Sequence, residues 1–198
     1  MENKNYSIIF RLLHWSIAIC IFMILITIFL RMTWMNKYNV ASIIQDYLAT
    51  TNQMLTYDEI VVLAKQIRKP MWNWHIYIGY ILVGLISLRF SLSAFGVVIF
   101  QNPFLKKLQA KKKFQYWIYL FFYTFITISL VTGLIIEFGP KTIKKPIEEI
   151  HVLSIYYLIA YLLIHFGGVL IAEFTNEQGI ISKMISGNIK KEENILPQ

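Results

Sequence analysis

Cysteine is almost absent from this 198-residue chain, which contains a single one, Cys20. One cysteine excludes an intramolecular disulfide, and it also excludes the Cys-x-x-Cys-His motif of covalent prosthetic-group attachment. Any such group must therefore be held without a covalent bond to the protein. Cys20 itself lies within the first long apolar run of the sequence.

Charge is also scarce. Charged residues make up 15% of the chain and hydrophobic residues 57%, with a mean hydropathy of +0.54. These values lie outside the range of ordinary soluble domains. The charges cluster between long apolar runs, so the net charge of +8 indicates membrane topology, and a nucleic-acid partner is not expected.

Four apolar stretches are long enough to cross about 30 Å of hydrocarbon, which takes about 20 helical residues. Because backbone polar groups must be satisfied inside lipid, each stretch is expected to be a helix. The predicted fold is an all-α integral membrane protein with a four-helix transmembrane bundle in lipid. The spans cover about residues 8–30, 72–94, 116–136 and 149–172 of a domain 1–172, followed by a cytoplasmic tail, 173–198.

Orientation follows from the distribution of Lys and Arg, since four spans place both termini on one side. The terminal side carries 11 of the 19 basic residues and the opposite side has 8, which predicts cytoplasmic termini. The terminal-side residues are Lys4, Arg11, Arg89, Lys106, Lys107, Lys111, Lys112, Lys113, Lys183, Lys190 and Lys191.

The connection between the first two spans, residues 31–71, is too long for a simple turn and is predicted to lie outside. Thr56 and Glu59 form a capping-box pattern before an amphipathic run that Pro70 is expected to end. One short extra helix is therefore predicted in this outer loop. It is either a lid over a cofactor or a surface helix resting on lipid headgroups.

All four histidines fall within the predicted spans: His14, His75, His151 and His165. The spans cover about 90 of 198 positions, so random placement would do this about one time in twenty. Ionisable side chains inside a membrane are costly and usually functional. The histidines are therefore the principal candidate site residues.

Depth separates these histidines into two pairs. His14 and His165 lie at similar depth near the predicted cytoplasmic side, whereas His75 and His151 lie near the opposite surface. His151 and His165 are 14 residues apart, which leaves them only about 40° from a common helical face and about 21 Å apart in height. Two haems stacked along the membrane normal, each with two histidine ligands, fit this spacing. The inner iron would bind His14 and His165, and the outer iron His75 and His151.

Other metal sites fit less well. Zinc and copper usually take three or four protein ligands, and each level offers two histidines without a carboxylate or thiol. An unliganded histidine near a membrane interface costs little free energy, so His75 or His151 alone would be weak evidence for a metal site. The paired depths favour haem.

Several short motifs resemble the bacterial cytochrome b561 family and the related b-type cytochrome subunits of nickel-iron hydrogenases and formate dehydrogenases. They are Arg11-Leu-Leu-His14-Trp15, His75-x-x-x-Gly79 followed by Arg89, and the histidine pair of the fourth span. The resemblance extends over about residues 6–172. It implies a four-span protein of the bacterial inner membrane with two non-covalent b haems, whose ligands fall on the four histidines.

Further cofactor-binding residues are expected next to these motifs. Gly79 lies one helical turn from His75 and suits the close approach of a flat macrocycle, whereas Gly133 suits either a macrocycle or close helix packing. Arg11 and Arg89 can pair with haem propionates or a quinone headgroup. The alternative is that these arginines reach toward the membrane interface.

Two features depart from the family pattern. About 40 residues join the first two spans where a short connection is usual, and the tryptophan that often follows the second-span arginine is missing near Arg89. These departures concern the redox partner rather than the haems.

Three functions remain open at this point. The leading hypothesis is transmembrane electron transfer between the quinone pool and a redox partner protein. The second is a stand-alone quinone-linked oxidoreductase that acts on superoxide, with Lys141, Lys144 and Lys145 steering the anion, although nearby acids oppose that field. The third is a non-redox, histidine-lined metal or proton transporter, or a membrane anchor.

Overall fold

The computed structural model describes residues 6–97, 102–105, 108–175 and 178–187. Helix accounts for 83% of these described residues, and they contain no strand. Within these residues eight helices follow in chain order: α1 (Ile8–Met32), α2 (Lys37–Thr50), α3 (Tyr57–Ile67), α4 (Lys69–Ala94), α5 (Ala110–Phe138), α6 (Lys141–Val152), α7 (Ser154–Phe174) and α8 (Ile180–Ile185).

Among the described residues, four helical segments are long and apolar enough to cross a membrane: α1, α4, α5 and the stretch Lys141–Phe174 formed by α6 and α7. Large apolar side chains on these segments remain exposed, for example Phe22 at 63% and Leu163 at 70%. Such exposure would be costly in water and is expected against lipid tails. The all-α membrane fold class is thereby confirmed.

The described part of the chain divides into two compact units, one within Ser16–Leu88 and the other within Met1–Trp15 and Arg89–Gln198. The tail from residue 188 lies outside the described residues. So do five lysines counted for the orientation prediction: Lys4, Lys106, Lys107, Lys190 and Lys191.

In the 16–88 unit, two short helices pack together where one was predicted. The contact between α2 and α3 buries Ala41, Ile60 and Ala64. The two alanines are small enough to let the helix backbones approach closely. The prediction of a single extra helix in the outer loop was therefore incomplete, because it missed α2, which Asn36 caps by accepting a hydrogen bond from the Tyr38 backbone N–H.

The predicted capping box at the start of α3 is present. The Thr56 hydroxyl and backbone N–H donate to the Glu59 carboxylate at 2.7 and 2.8 Å, and the hydroxyl accepts from the Glu59 N–H. Pro70, expected to end this helix, instead lies at the second residue of α4. A proline is tolerated there because the first turn of a helix has no acceptor for its N–H.

The capping box makes the stability of α3 dependent on pH. The hydrogen bonds from the side chain and then the backbone of Thr56 hold the pKa of Glu59 below its usual value. Because the pKa of Glu59 is lower in the folded state than in the unfolded state, the ionised carboxylate stabilises the fold at pH values above the unfolded pKa of about 4.3. This stability is lost as the pH falls through the folded pKa. Acidification below about pH 4 should therefore loosen the first turn of α3.

Replacing Thr56 by alanine should destabilise the start of α3 by about 1 kcal/mol. Hydrogen exchange at pH 7 should then be about fivefold faster for the first amides of α3. Thr51→Ala is the matched control, since the Thr51 hydroxyl donates to the Leu48 carbonyl at the end of α2. Equal exchange rates in Thr56→Ala and the wild type would contradict the prediction.

In the other unit, α5 packs against α6 and α7. Phe122 stacks on Tyr161 with ring centroids 4.3 Å apart, and Phe125 stacks on Tyr157 at 5.1 Å. One turn after Phe125, the Ser129 hydroxyl hydrogen-bonds both the Ser154 hydroxyl and the Tyr157 phenol. Polar groups on two facing helices thus satisfy one another where no water is present.

The predicted fourth span, 149–172, is not one regular helix. α6 begins earlier, at Lys141, and Leu153 separates it from α7 through a tight turn in which its N–H donates to the Ile150 carbonyl. The common-face estimate for His151 and His165 assumed a regular helix. Leu153 lies between them and keeps right-handed helical backbone angles, so their common face stays a prediction. His151 belongs to α6 and His165 to α7.

The predicted polar tail, 173–198, contains a short helix. Arg11 donates to the Ile185 carbonyl at 2.8 Å and the Trp15 indole donates to the Met184 carbonyl at 3.2 Å. These donors satisfy carbonyl groups at the end of α8 that have no partner within the helix. Residues 180–185 are therefore held against the first turns of α1.

Candidate functional site

His14 and His165 lie next to each other. His14 comes from α1 and His165 from α7, and their half-buried rings have centroids 6.0 Å apart with an angle of 45° between the ring planes. Buried Leu13 and Ile17 flank His14 on its helix. Two imidazoles from different helices thus face a common space within one unit.

Aromatic rings surround this pair. Tyr161, one turn before His165, stacks on its ring with centroids 5.6 Å apart and planes within 16°, and Phe122 of α5 also stacks on Tyr161. Trp15 meets the His14 ring edge-on at 5.7 Å. These contacts restrict ring rotation and make the surroundings apolar.

The spacing of the pair suits one metal ion held between the rings. Histidine nitrogens bind transition metals at about 2.0–2.1 Å, so imidazoles on opposite sides of one iron have centroids about 6 Å apart. No group of three or more His, Cys, Asp or Glu that could hold a metal is found among the described residues. Two imidazoles are the donor set that a haem iron takes from a protein, because the macrocycle provides the other four nitrogens.

His75 is held by contacts from α1 and from its own helix, α4. Its Nδ1 lies 2.9 Å from the Thr27 hydroxyl. Trp72 stacks on the His75 ring with ring centroids 4.4 Å apart and planes within 5°, and the Arg31 guanidinium lies over Trp72 at 3.8 Å. The indole thus contacts both an imidazole and a cation.

His151 is held by α5. Its Nδ1 lies 3.0 Å from the Thr132 hydroxyl. A Cβ at Gly133 would come within 3.2 Å of the His151 ring, so this glycine leaves room for the imidazole. This explains Gly133 better than general helix packing does, and the glycine contacts the histidine itself.

His75 and His151 belong to the two different units, and their predicted pairing stays a prediction. Gly79, one turn after His75, has open space where its Cβ would be. That space is compatible with the predicted approach of a macrocycle to α4.

The two predicted arginines have different surroundings. Arg89 donates to the Tyr123 phenol at 3.2 Å and lies over the Phe10 ring at 4.5 Å. Arg11 instead donates to the Ile185 carbonyl at the end of α8, and its buried Nε has no hydrogen-bond partner among the described residues. Arg89 thus contacts α1 one turn before His14, and Arg11 contributes to holding the C-terminal helix.

The prokaryotic cytochrome b561 family matches residues 5–187 of this sequence. The chain belongs to this family. The resemblance predicted from the short motifs is thereby confirmed, and it extends over all four candidate spans. Searches of curated proteins and of solved structures found no significant match.

Family membership indicates which cofactor to expect. The chain is a multi-pass bacterial membrane protein of a cytochrome family whose members bind b-type haem and transfer electrons across membranes. The histidine-containing helices α1, α4, α6 and α7 all lie within the matched residues.

The sequence did not reveal the groups that hold the histidines. Thr27 and Thr132 carry no recognisable signal, since threonine is common in membrane helices and α5 contains no histidine to draw attention to it. Trp72 offered one weak signal, because it precedes His75 by three residues and therefore shares its helix face.

Proposed function

We propose that this cytochrome b561 carries electrons across the bacterial inner membrane through two b haems, between the quinone pool and a redox partner protein. The observation that carries the proposal is the His14 and His165 pair, whose ring centroids lie 6.0 Å apart on two helices of a membrane cytochrome chain. A bound haem supplies one-electron redox chemistry, and the protein positions it and sets its potential.

One haem would be held by His14 and His165. Tyr161, stacked on His165, keeps that imidazole from rotating, and the apolar rings around it exclude water. Arg89, which lies over the Phe10 ring one turn before His14, is the propionate or quinone-headgroup partner in this proposal, since a guanidinium binds carboxylates strongly. Arg11 is less suited to this role, because its guanidinium already donates to the Ile185 carbonyl.

The other haem would be held by His75 and His151. Each ring is fixed by a hydrogen bond from a different helix, and Gly79 leaves open space one turn from His75. A fixed imidazole loses little entropy when it binds a metal, which supports ligand roles for both residues.

The proposed topology has both termini in the cytoplasm, a domain of residues 1–172 and a short tail, 173–198. The His14 and His165 haem then lies near the cytoplasm and the other haem near the outer surface. The excess of Lys and Arg on the terminal side supports this orientation.

Haem content and vectorial electron transfer test the proposal. The purified protein should contain two haems per chain and show a b-type reduced-minus-oxidised spectrum. In vesicles, quinol on one side should reduce a membrane-impermeant ferric acceptor on the other, and vesicles without the protein provide the control. A colourless protein from haem-replete cells, or haems that quinol does not reduce, would overturn the proposal.

A further inference from the structure

Two buried threonines each contact a histidine ring. Thr27 on α1 and Thr132 on α5 are 5% and 7% exposed, and together with Ser129 they are the buried polar side chains among the described residues. The Thr27 hydroxyl lies 2.9 Å from Nδ1 of His75, and the Thr132 hydroxyl lies 3.0 Å from Nδ1 of His151. The same arrangement thus occurs twice, on unrelated helices.

The direction of each hydrogen bond follows from the other contacts of the threonine. The Thr27 hydroxyl lies 2.6 Å from the Ile24 carbonyl, and the Thr132 hydroxyl lies 2.8 Å from the Ile128 carbonyl. A carbonyl oxygen can only accept, so oxygens this close require the hydroxyl proton between them. The threonine oxygen is then left to accept, and the imidazole must donate from Nδ1.

This direction determines the tautomer of both rings. A neutral imidazole that is protonated on Nδ1 carries its lone pair on Nε2, the nitrogen it can offer to a metal. The other two histidines differ. Among the described residues, His14 and His165 make ring-to-ring contacts with Trp15 and Tyr161, and no hydrogen bond to either imidazole is found.

We propose that Thr27 and Thr132 are positioning residues that hold His75 and His151 as Nδ1-protonated imidazoles, with Nε2 presented to the haem iron. The inference rests on the proposed function, because it requires these two histidines to be haem ligands. An N–H that donates to an oxygen makes its imidazole a stronger electron donor. Ferric iron is then favoured, and the reduction potential of this haem is lowered.

Thr27→Val and Thr132→Val test the inference, because valine keeps the shape of threonine and removes the acceptor oxygen. In a redox titration, the reduction equilibrium of one haem should move about three- to tenfold toward the ferrous form, and tenfold corresponds to about 59 mV for one electron. The low-spin ferric EPR signal of that haem should also change, while the signal of the haem assigned to His14 and His165 stays as in the wild type.

Thr127→Val provides the matched control, because the hydroxyl of Thr127 on the same helix as Thr132 donates to the Tyr123 carbonyl. It should leave both haems unchanged. Thr27→Ser and Thr132→Ser keep the acceptor oxygen, so the haem should retain its wild-type reduction potential. The serine variants should do so even if the corresponding valine variant loses the haem.

The outcomes separate the two proposals. A wild-type protein without haem refutes the proposed function itself. Valine variants that keep both haems with unchanged potentials and EPR signals refute the positioning role alone. Serine variants that behave like the valine variants, or an equal shift in Thr127→Val, also refute it.

Discussion

Replacing His165 by alanine is expected to lower the haem content of the protein from two per chain to one. His165 would bind an iron from one side, and His14, 6.0 Å away between ring centroids, from the other. Without His165 the haem keeps one protein ligand and is lost during purification. Haem per protein and the ferric EPR spectrum measure the effect, in which one low-spin signal disappears and the other remains.

Double variants test the pairing itself. His14→Ala combined with His165→Ala should still leave one haem, because both ligands belong to the same site. His14→Ala combined with His151→Ala should leave none. Loss of both haems in the first variant, or of only one in the second, would show that the histidines pair differently.

The control for this experiment is Tyr161→Phe, which keeps the ring stacked on His165 and removes only the phenolic oxygen. It should retain both haems. A His165→Gly variant adds a rescue, since imidazole in solution can occupy the vacated ligand position. Restoration of the missing EPR signal by imidazole separates loss of a ligand from loss of the fold.

Replacing Gly133 by valine is expected to remove the haem that depends on His151 and to leave the other haem in place. A Cβ at this position comes within 3.2 Å of Cε1 of the imidazole, so even a methyl group requires the ring to move by a few tenths of an ångström. The additional methyl groups of valine increase this displacement, and misplaced ligands bind metals poorly. Haem content and the ferric EPR spectrum measure the effect.

Gly84→Val is the matched control, because a Cβ at Gly84 meets open space. It introduces the same residue into a membrane helix without touching a histidine, and both haems should remain. Gly133→Ala should have a smaller effect in the same direction. A Gly133→Val protein with two haems and wild-type EPR signals would contradict the proposed role of His151 as a ligand.

Local sequence features predicted much of the fold. The number of spans follows from the length and polarity of the apolar runs, and the four segments capable of crossing a membrane confirm it. The start of α3 follows from the capping pattern of Thr56 and Glu59. The ends of helices were less predictable, because Pro70 is compatible with both the end of one helix and the beginning of the next.

The helix that was missed and the helix boundary that was misplaced have different causes. α2 has little amphipathic pattern, and it is stabilised by burying Ala41 against α3, a contact between residues far apart in the sequence. Packing, rather than local propensity, therefore decides α2. The turn at Leu153 instead lies where the polar sequence of α6 changes to the apolar sequence of α7.

The sequence by itself determined that this is a four-span membrane cytochrome b561, because hydrophobic length and short motifs are properties of the chain read in order. Only the tertiary structure decided which groups hold the histidines: Thr27 and Trp72 for His75, Thr132 and Gly133 for His151, and Tyr161 for His165. The reason is geometric. Each helix can rotate about its axis and shift along it, and a change of one residue turns a side chain by about 100°. Spacing along one helix therefore indicates the depth of a histidine but leaves its neighbours on other helices undefined.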